Sequence, residues 1–130
     1  MNPANLAFRF FLEIAALIAL GAAGYRLGSP PWSWVAAVGV PLLAALAWGV
    51  FNVPGDPSRS GRAPVVVPGW VRLLLEFLVF GAAVGAAAVV WGALPAALFA
   101  AGVALHYGLS TARVRWLLGR QGGGSAMDQG

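Results

Sequence analysis

The stretch that decides the fold is Arg9-Phe10-Phe11-Leu12-Glu13-Ile14-Ala15-Ala16-Leu17-Ile18-Ala19-Leu20-Gly21-Ala22-Ala23-Gly24-Tyr25, an apolar run opened by Arg9 and interrupted only by Glu13. With the residues before it, the segment from about 4 to 25 is long enough to cross a hydrocarbon layer of about 30 Å at roughly 1.5 Å per helical residue. Three further apolar stretches follow, at about 32–53, 71–94 and 95–118. The composition agrees: 60% of the residues are hydrophobic, 9% are charged and the mean hydropathy is +0.81, whereas an average soluble domain is about 25% charged. Too few polar residues exist to coat a water-facing surface. The predicted fold class is therefore all-α, an integral membrane four-helix bundle spanning residues 1–118.

The first span could pass for a signal peptide, but Glu13 interrupts it and three spans follow, so it reads as a retained helix. Residues 27–31 (Leu-Gly-Ser-Pro-Pro) and 91–95 (Trp-Gly-Ala-Leu-Pro) are tight turns, the second with Gly92 suited to ending one helix and Pro95 to beginning the next. Each turn closes a helical hairpin. Residues 54–69, rich in Gly, Pro and Ser and carrying Asp56, Arg59 and Arg62, read as a solvated loop. Val65-Val66-Val67 within it is too short and too proline-flanked to propose as a strand. The glycine-rich tail, 119–130, has too little apolar surface to order itself.

Several chemistries are excluded by residue type. The chain has no cysteine, no lysine and one histidine, which removes thiolate sites, the lysine-dependent phosphate loop and a His-x-x-x-His zinc pair. No nucleophile–base pair or metal constellation is legible. The expectation is a protein that is not an enzyme, with no catalytic residue, no metal ligand and no cofactor. The formal charge of +4 does not indicate nucleic acid, because the arginines sit at the ends of apolar segments. Arg9, Arg59, Arg62, Arg72, Arg113, Arg115 and Arg120 fall on the side of the termini and central loop, and Arg26 alone on the side of the tight turns. That asymmetry predicts a multi-pass protein with both termini in the cytoplasm. The aromatics agree, with Tyr25, Trp32, Trp34 and Trp91 at the outer interface and Trp48, Trp70 and Trp116 at the inner one.

Arg9-x-x-x-Glu13 opens the first hairpin and Arg72-x-x-x-Glu76 opens the second, so the hairpins form a candidate parallel internal repeat. Spacing of four places each pair on one helical face, with the glutamate about 6 Å deeper than its arginine. The fourth segment adds His106, Ser110 and Arg113 at i, i+4 and i+7, and Asn5 extends the first stripe. Ionisable groups at membrane depth are site candidates by default. Two readings compete for the polar cluster Asn5, Arg9, Glu13, Arg72, Glu76, His106 and Ser110. In one the glutamates lock the first and third helices together through cross-bridges; in the other they line a small cavity that exchanges protons or holds a cation. The structural reading is favoured, because neither glutamate lies at mid-bilayer. Gly81-x-x-x-Gly85 is expected to pack the third helix against the fourth, and Pro41 to kink the second.

Asn5-x-x-x-Arg9-Phe10-x-x-Glu13, Trp48-Gly49-x-Phe51-x-x-Pro54 and Arg72-x-x-x-Glu76 together resemble the YrdB-like small bacterial membrane proteins, over about residues 1–118. The resemblance implies a four-helix protein of the bacterial cytoplasmic (inner) membrane, with no activity to carry over. The expected role is structural or accessory, with the lipid bilayer as surroundings and a homo-oligomer or a membrane partner protein as the open partner classes. The alternative is a small proton- or cation-coupled carrier acting as an oligomer.

Overall fold

A computed structural model describes residues 2–58 and 62–119. Arg59 and Arg120 of the arginine count, and the tail beyond Gly119, lie outside the described residues. The elements run α1 (Pro3–Tyr25), α2 (Trp32–Val50), β1 (Phe51–Asn52), β2 (Val65–Val66), α3 (Gly69–Trp91), α4 (Ala93–Leu109) and α5 (Thr111–Leu118). α1 starts where Asn2 accepts a hydrogen bond from the Ala4 N–H at 2.8 Å, with Pro3 in the first turn, where a missing N–H costs nothing. α3 ends at Gly92, whose φ of +101° is left-handed and suits glycine.

The chain is thus all-helical in its main elements. Three of its helices are long and apolar enough to cross a membrane, or four if α4 and α5 count as one bent span. The sequence expectation of one unbroken helix from 95 to 118 is corrected here. The axis turns by 71° between α4 and α5, because Arg113 and Leu117 turn inward toward the central loop and the start of α3, where both are buried. The triple valine also behaves differently from expectation. Val65–Val66 pairs in parallel with Phe51–Asn52, and the Val67 N–H donates to the Asn52 carbonyl at 3.0 Å. A proline-flanked dipeptide makes this ladder because the extended end of α2 supplies the partner.

Polarity is distributed inside out. Phe11, Leu27, Trp32, Leu43, Val89 and Leu94 are all more than two-fifths exposed, while Arg9, Arg72, Arg113, Glu76 and His106 are buried. An apolar exterior of this extent around a charged interior suits an apolar solvent. The core between α1 and α3 is built from Leu12, Ala16, Ala19, Leu20, Phe80, Ala83 and Ala87, with Trp48 from α2 and Ala96 from α4. Small residues let these backbones approach closely.

Gly81 and Gly85 are not among them. Both lie on the exposed face of α3, and a Cβ at either would meet nothing within 4 Å, so the expected packing against α4 does not form there. The face of α3 that packs carries Phe80, Ala83 and Ala87 instead. The close approaches occur at other glycines. A Cβ at Gly24 would lie 2.5 Å from the Ala36 carbonyl oxygen, and one at Gly21 would lie 3.0 Å from that of Ala37. Ala37 is four residues before Pro41, whose missing N–H leaves that carbonyl without its helical donor, and α1 covers it. α2 remains one continuous helix through Pro41. At the other end, Gly69 abuts the Leu117 carbonyl so closely that any side chain would collide with it. This contact seats α5 on the start of α3.

Candidate functional site

At the end of the molecule formed by the start of α1, the end of α2, the central loop and α5, the polar residues converge on Glu76. Its position on α3 brings the carboxylate, buried to 0% exposure, among three guanidiniums. Arg72, one turn earlier, donates through Nε to Oε2 at 2.7 Å. Arg113 donates through Nη1 to Oε1 at 3.0 Å and through Nη2 to Oε2 at 2.7 Å. Arg9 reaches across from α1, with Nη1 3.3 Å from Oε1 and Nη2 3.1 Å from Oε2. The Tyr107 hydroxyl also donates to Oε1. Charge-assisted contacts of this kind are the strong class of hydrogen bond.

Arg113 in turn holds a second carboxylate. Its Nε and Nη2 donate to Oδ1 and Oδ2 of Asp56 at 2.8 and 2.7 Å, a bidentate pairing on the adjoining edge of the guanidinium, with Nη2 shared between the two carboxylates. The loop presents Asp56 through a tight turn, in which the Asp56 N–H donates to the Val53 carbonyl at 3.1 Å and Gly55 has φ +80°. Pro54 followed by a left-handed glycine is the residue order of a type II turn. The Ser58 N–H and hydroxyl both donate to Asp56 Oδ1 at 2.9 Å. Burial alone would raise the Asp56 carboxyl, but the hydrogen bonds and charge of Arg113 outweigh it, and with Ser58 they hold it below the ordinary aspartate range.

Arg72 has a further task. Its Nη1 donates to the Trp48 and Phe51 carbonyls at 2.9 Å each, and Asn52 Nδ2 donates to the Trp48 and Gly49 carbonyls at 3.1 and 3.0 Å. The carbonyls left over at the end of α2 are thereby satisfied. Arg26 does the same at the far end, donating to the Val89 and Val90 carbonyls of α3 at 3.3 and 3.2 Å.

A neutral chain extends from Arg9. Its Nη1 lies 3.3 Å from His106 Nε2, His106 Nδ1 lies 2.9 Å from Asn5 Oδ1, and Asn5 Nδ2 donates to Ser110 Oγ at 2.7 Å. A guanidinium only donates. Nε2 of His106 is therefore the acceptor, Nδ1 carries the proton, and every donor along the chain is fixed in direction.

The sequence-predicted residues Asn5, Arg9, Arg72, Glu76, His106 and Ser110 are thus brought together. Glu13 stands at the rim, its side chain 13% exposed and its Oε2 3.6 Å from Arg9 Nε. The two Arg-x-x-x-Glu copies are consequently not equivalent: Glu76 is the hub and Glu13 a flank. Sequence reasoning missed Asp56, which it placed in a solvated loop, and Tyr107. With Asp56 included, Arg9, Arg72 and Arg113 face Glu13, Asp56 and Glu76, and the cluster is charge-balanced. It uses all but one of the four acidic residues in the sequence. Among the described residues no group of three or more His, Asp or Glu side chains is placed to hold a metal ion.

Residues 7–105 match the family model described as "Protein of unknown function (DUF2568)". The chain is 39% identical over 118 residues to the "Uncharacterized protein YrdB" of Bacillus subtilis (strain 168), covering 91% of this chain and 96% of that protein. No solved structure matches. With a family model covering most of its length and a relative aligned nearly end to end, the chain belongs to the YrdB-like DUF2568 family of unknown function.

Proposed function

We propose that the protein is a non-catalytic, structural or accessory component of the cytoplasmic membrane, built as a four-span helical bundle with both termini and the central loop on the cytoplasmic side. The observation that carries this reading is the saturation of Glu76 by Arg9, Arg72, Arg113 and Tyr107. A carried proton or cation needs a carboxylate that can exchange partners, and removing charge from Glu76 would leave guanidiniums buried without compensation. The cluster instead ties α1, α2, the loop, α3 and α5 into one unit, and the exposed apolar surface is left to lipid or to a membrane partner protein.

In proteoliposomes, the wild type is expected to show no solute-dependent proton flux, and Glu76→Gln to lose thermal stability. A flux abolished by Glu76→Gln in a folded protein would establish the carrier reading instead. Cysteines introduced at Ser29 and Pro57 are expected to label from opposite sides in intact cells, Ser29 from outside. Labelling of Pro57→Cys from outside would reverse the orientation.

A further inference from the structure

The elbow between α4 and α5 and the adjacent side of α3 bound an open groove of about 590 Å³. Phe77 of α3, Tyr107 of α4 and Thr111, Val114 and Arg115 of α5 line it. Phe77 is 51% exposed, its ring centroid 4.9 Å from that of Tyr107, so one wall is aromatic and open to an apolar occupant. The wall supplied by α5 is different in kind. Thr111 and Arg115 are both exposed and, four residues apart, share one helical face. Whereas Arg9, Arg72 and Arg113 all stand against carboxylates, the Arg115 side chain has no hydrogen-bond or ion-pair partner among the described residues. α5 also begins without a side-chain cap, and the hydroxyl oxygen of its N-cap residue Ser110 accepts from Asn5 Nδ2 at 2.7 Å instead. The positive end of a helix and a free guanidinium therefore flank the same apolar groove. Among the described residues no acidic side chain lines it.

We propose that this groove seats a phospholipid of the cytoplasmic leaflet with an anionic headgroup of the phosphatidylglycerol class, its phosphodiester on Arg115 and the first turn of α5 and an acyl chain along Phe77 and Tyr107. The inference rests on the membrane reading above and adds a headgroup preference to it. A helix turned by 71° from a spanning α4 runs close to the membrane plane, which holds Arg115 at phosphate depth while Phe77 stays among acyl chains. Charge selects the headgroup. A zwitterionic lipid would bring its own cation to a groove with no carboxylate to receive it, whereas an anionic headgroup meets only the positive groups of α5.

The test uses the full chain, delipidated in dodecyl maltoside, with affinities for dioleoyl phosphatidylglycerol, dioleoyl phosphatidylcholine and glycerophosphoglycerol measured by native mass spectrometry. Phosphatidylglycerol is expected to bind about fivefold tighter than phosphatidylcholine, the factor one arginine contributes beside an anionic lipid. It should bind at least about tenfold tighter than the headgroup alone, which lacks the acyl chains. Arg115→Gln should abolish the preference, and Arg115→Lys, which keeps the charge, should retain most of it. Because the Arg115 side chain holds no other element in place, both variants should melt with the wild type. Arg26→Gln removes an equal charge at the far end and should leave the preference intact. Absence of a headgroup preference, the result if a second copy or a partner helix covers the groove, would overturn the proposal. So would a preference that survives in Arg115→Gln, one lost equally in Arg26→Gln, or a headgroup that binds as tightly as the lipid. A chain that stays soluble and monodisperse without detergent would overturn the membrane reading as well, which separates the two failures.

Discussion

Arg113 and Glu76 meet edge to edge, Nη1 to Oε1 at 3.0 Å and Nη2 to Oε2 at 2.7 Å, while the adjoining edge of the same guanidinium grips Asp56 at 2.8 and 2.7 Å. One side chain on the bent-back α5 therefore joins α3 to the central loop. The planar fork of arginine makes two bidentate contacts at once, which a lysine at the same place could not.

Removing that fork leaves two carboxylates short of a partner inside the protein. Arg113→Leu should lower unfolding stability by about 3–5 kcal/mol, the scale of breaking a buried pair. Arg113→Lys should recover only part of it. In a double-mutant cycle, Arg113→Leu with Glu76→Gln should cost clearly less than the sum of the single losses. Additive losses, measured by thermal unfolding in detergent, would show that the two residues act independently.

The inequality of the two Arg/Glu copies gives a second prediction. Glu76→Gln removes the charge shared by three guanidiniums and puts an NH2 donor where one acceptor oxygen stood, and should cost about 3–5 kcal/mol. Glu13 sits at the rim, its side chain 13% exposed and 3.6 Å from Arg9, and Glu13→Gln should cost clearly less than Glu76→Gln, because water reaches part of its carboxylate. Equal losses in the two variants would restore the symmetric, repeat-based picture of the cluster.

Much of this was legible in the sequence, and what was not has identifiable causes. The spans follow from apolar length, and the Arg/Glu stripes from i to i+4 spacing on a helix whose position is already known. Asp56 was unreadable as a cluster member because its partner Arg113 lies 57 residues away, and a Pro-Gly-Asp turn looks the same whether its carboxylate faces water or protein. The bend at Ser110 carries no proline or glycine at the break. The local signals are Gly108 in the last turn of α4 and Arg113 and Arg115 within a helix too polar to continue the apolar run. Gly81-x-x-x-Gly85 misled because a spacing identifies a stripe without saying which way it faces; Phe80 and Ala86, one residue before and one after the motif, took the core.

That distinction between glycines is itself testable. Gly69→Ala drives a methyl into the Leu117 carbonyl, so it should unseat α5, weaken the Arg113 contacts and lower the melting temperature. Gly24→Leu should do similar harm at the α1–α2 crossing, where the Ala36 carbonyl stands 2.5 Å from the added Cβ. Gly81→Leu and Gly85→Leu point into open space and should fold, gaining about 0.8–1 kcal/mol of helix propensity. Loss of the folded monomer in the last two variants would mean that this face is covered in the working protein.

The last prediction follows the one cluster carboxylate outside the spans. The folded-state value of Asp56 lies below its ordinary 3.8, because Arg113 and Ser58 outweigh the burial that opposes them. Over the interval between the two values the unfolded chain binds more protons than the folded one, so stability rises with pH there. Asp56 thus contributes its full stabilisation above the ordinary aspartate range. It loses that contribution progressively as pH falls through about 4 toward its own lowered value. Asp56→Asn removes the charge and half of the bidentate contact, so the variant should be less stable than the wild type at pH 7. Its deficit should shrink as the pH is lowered from about 5 to 3, because protonation brings the wild type toward the variant's state. Unfolding of both proteins by heat across that range is the measurement. A deficit that stays constant down to pH 3 would show that the ionised form of Asp56 is not what Arg113 holds.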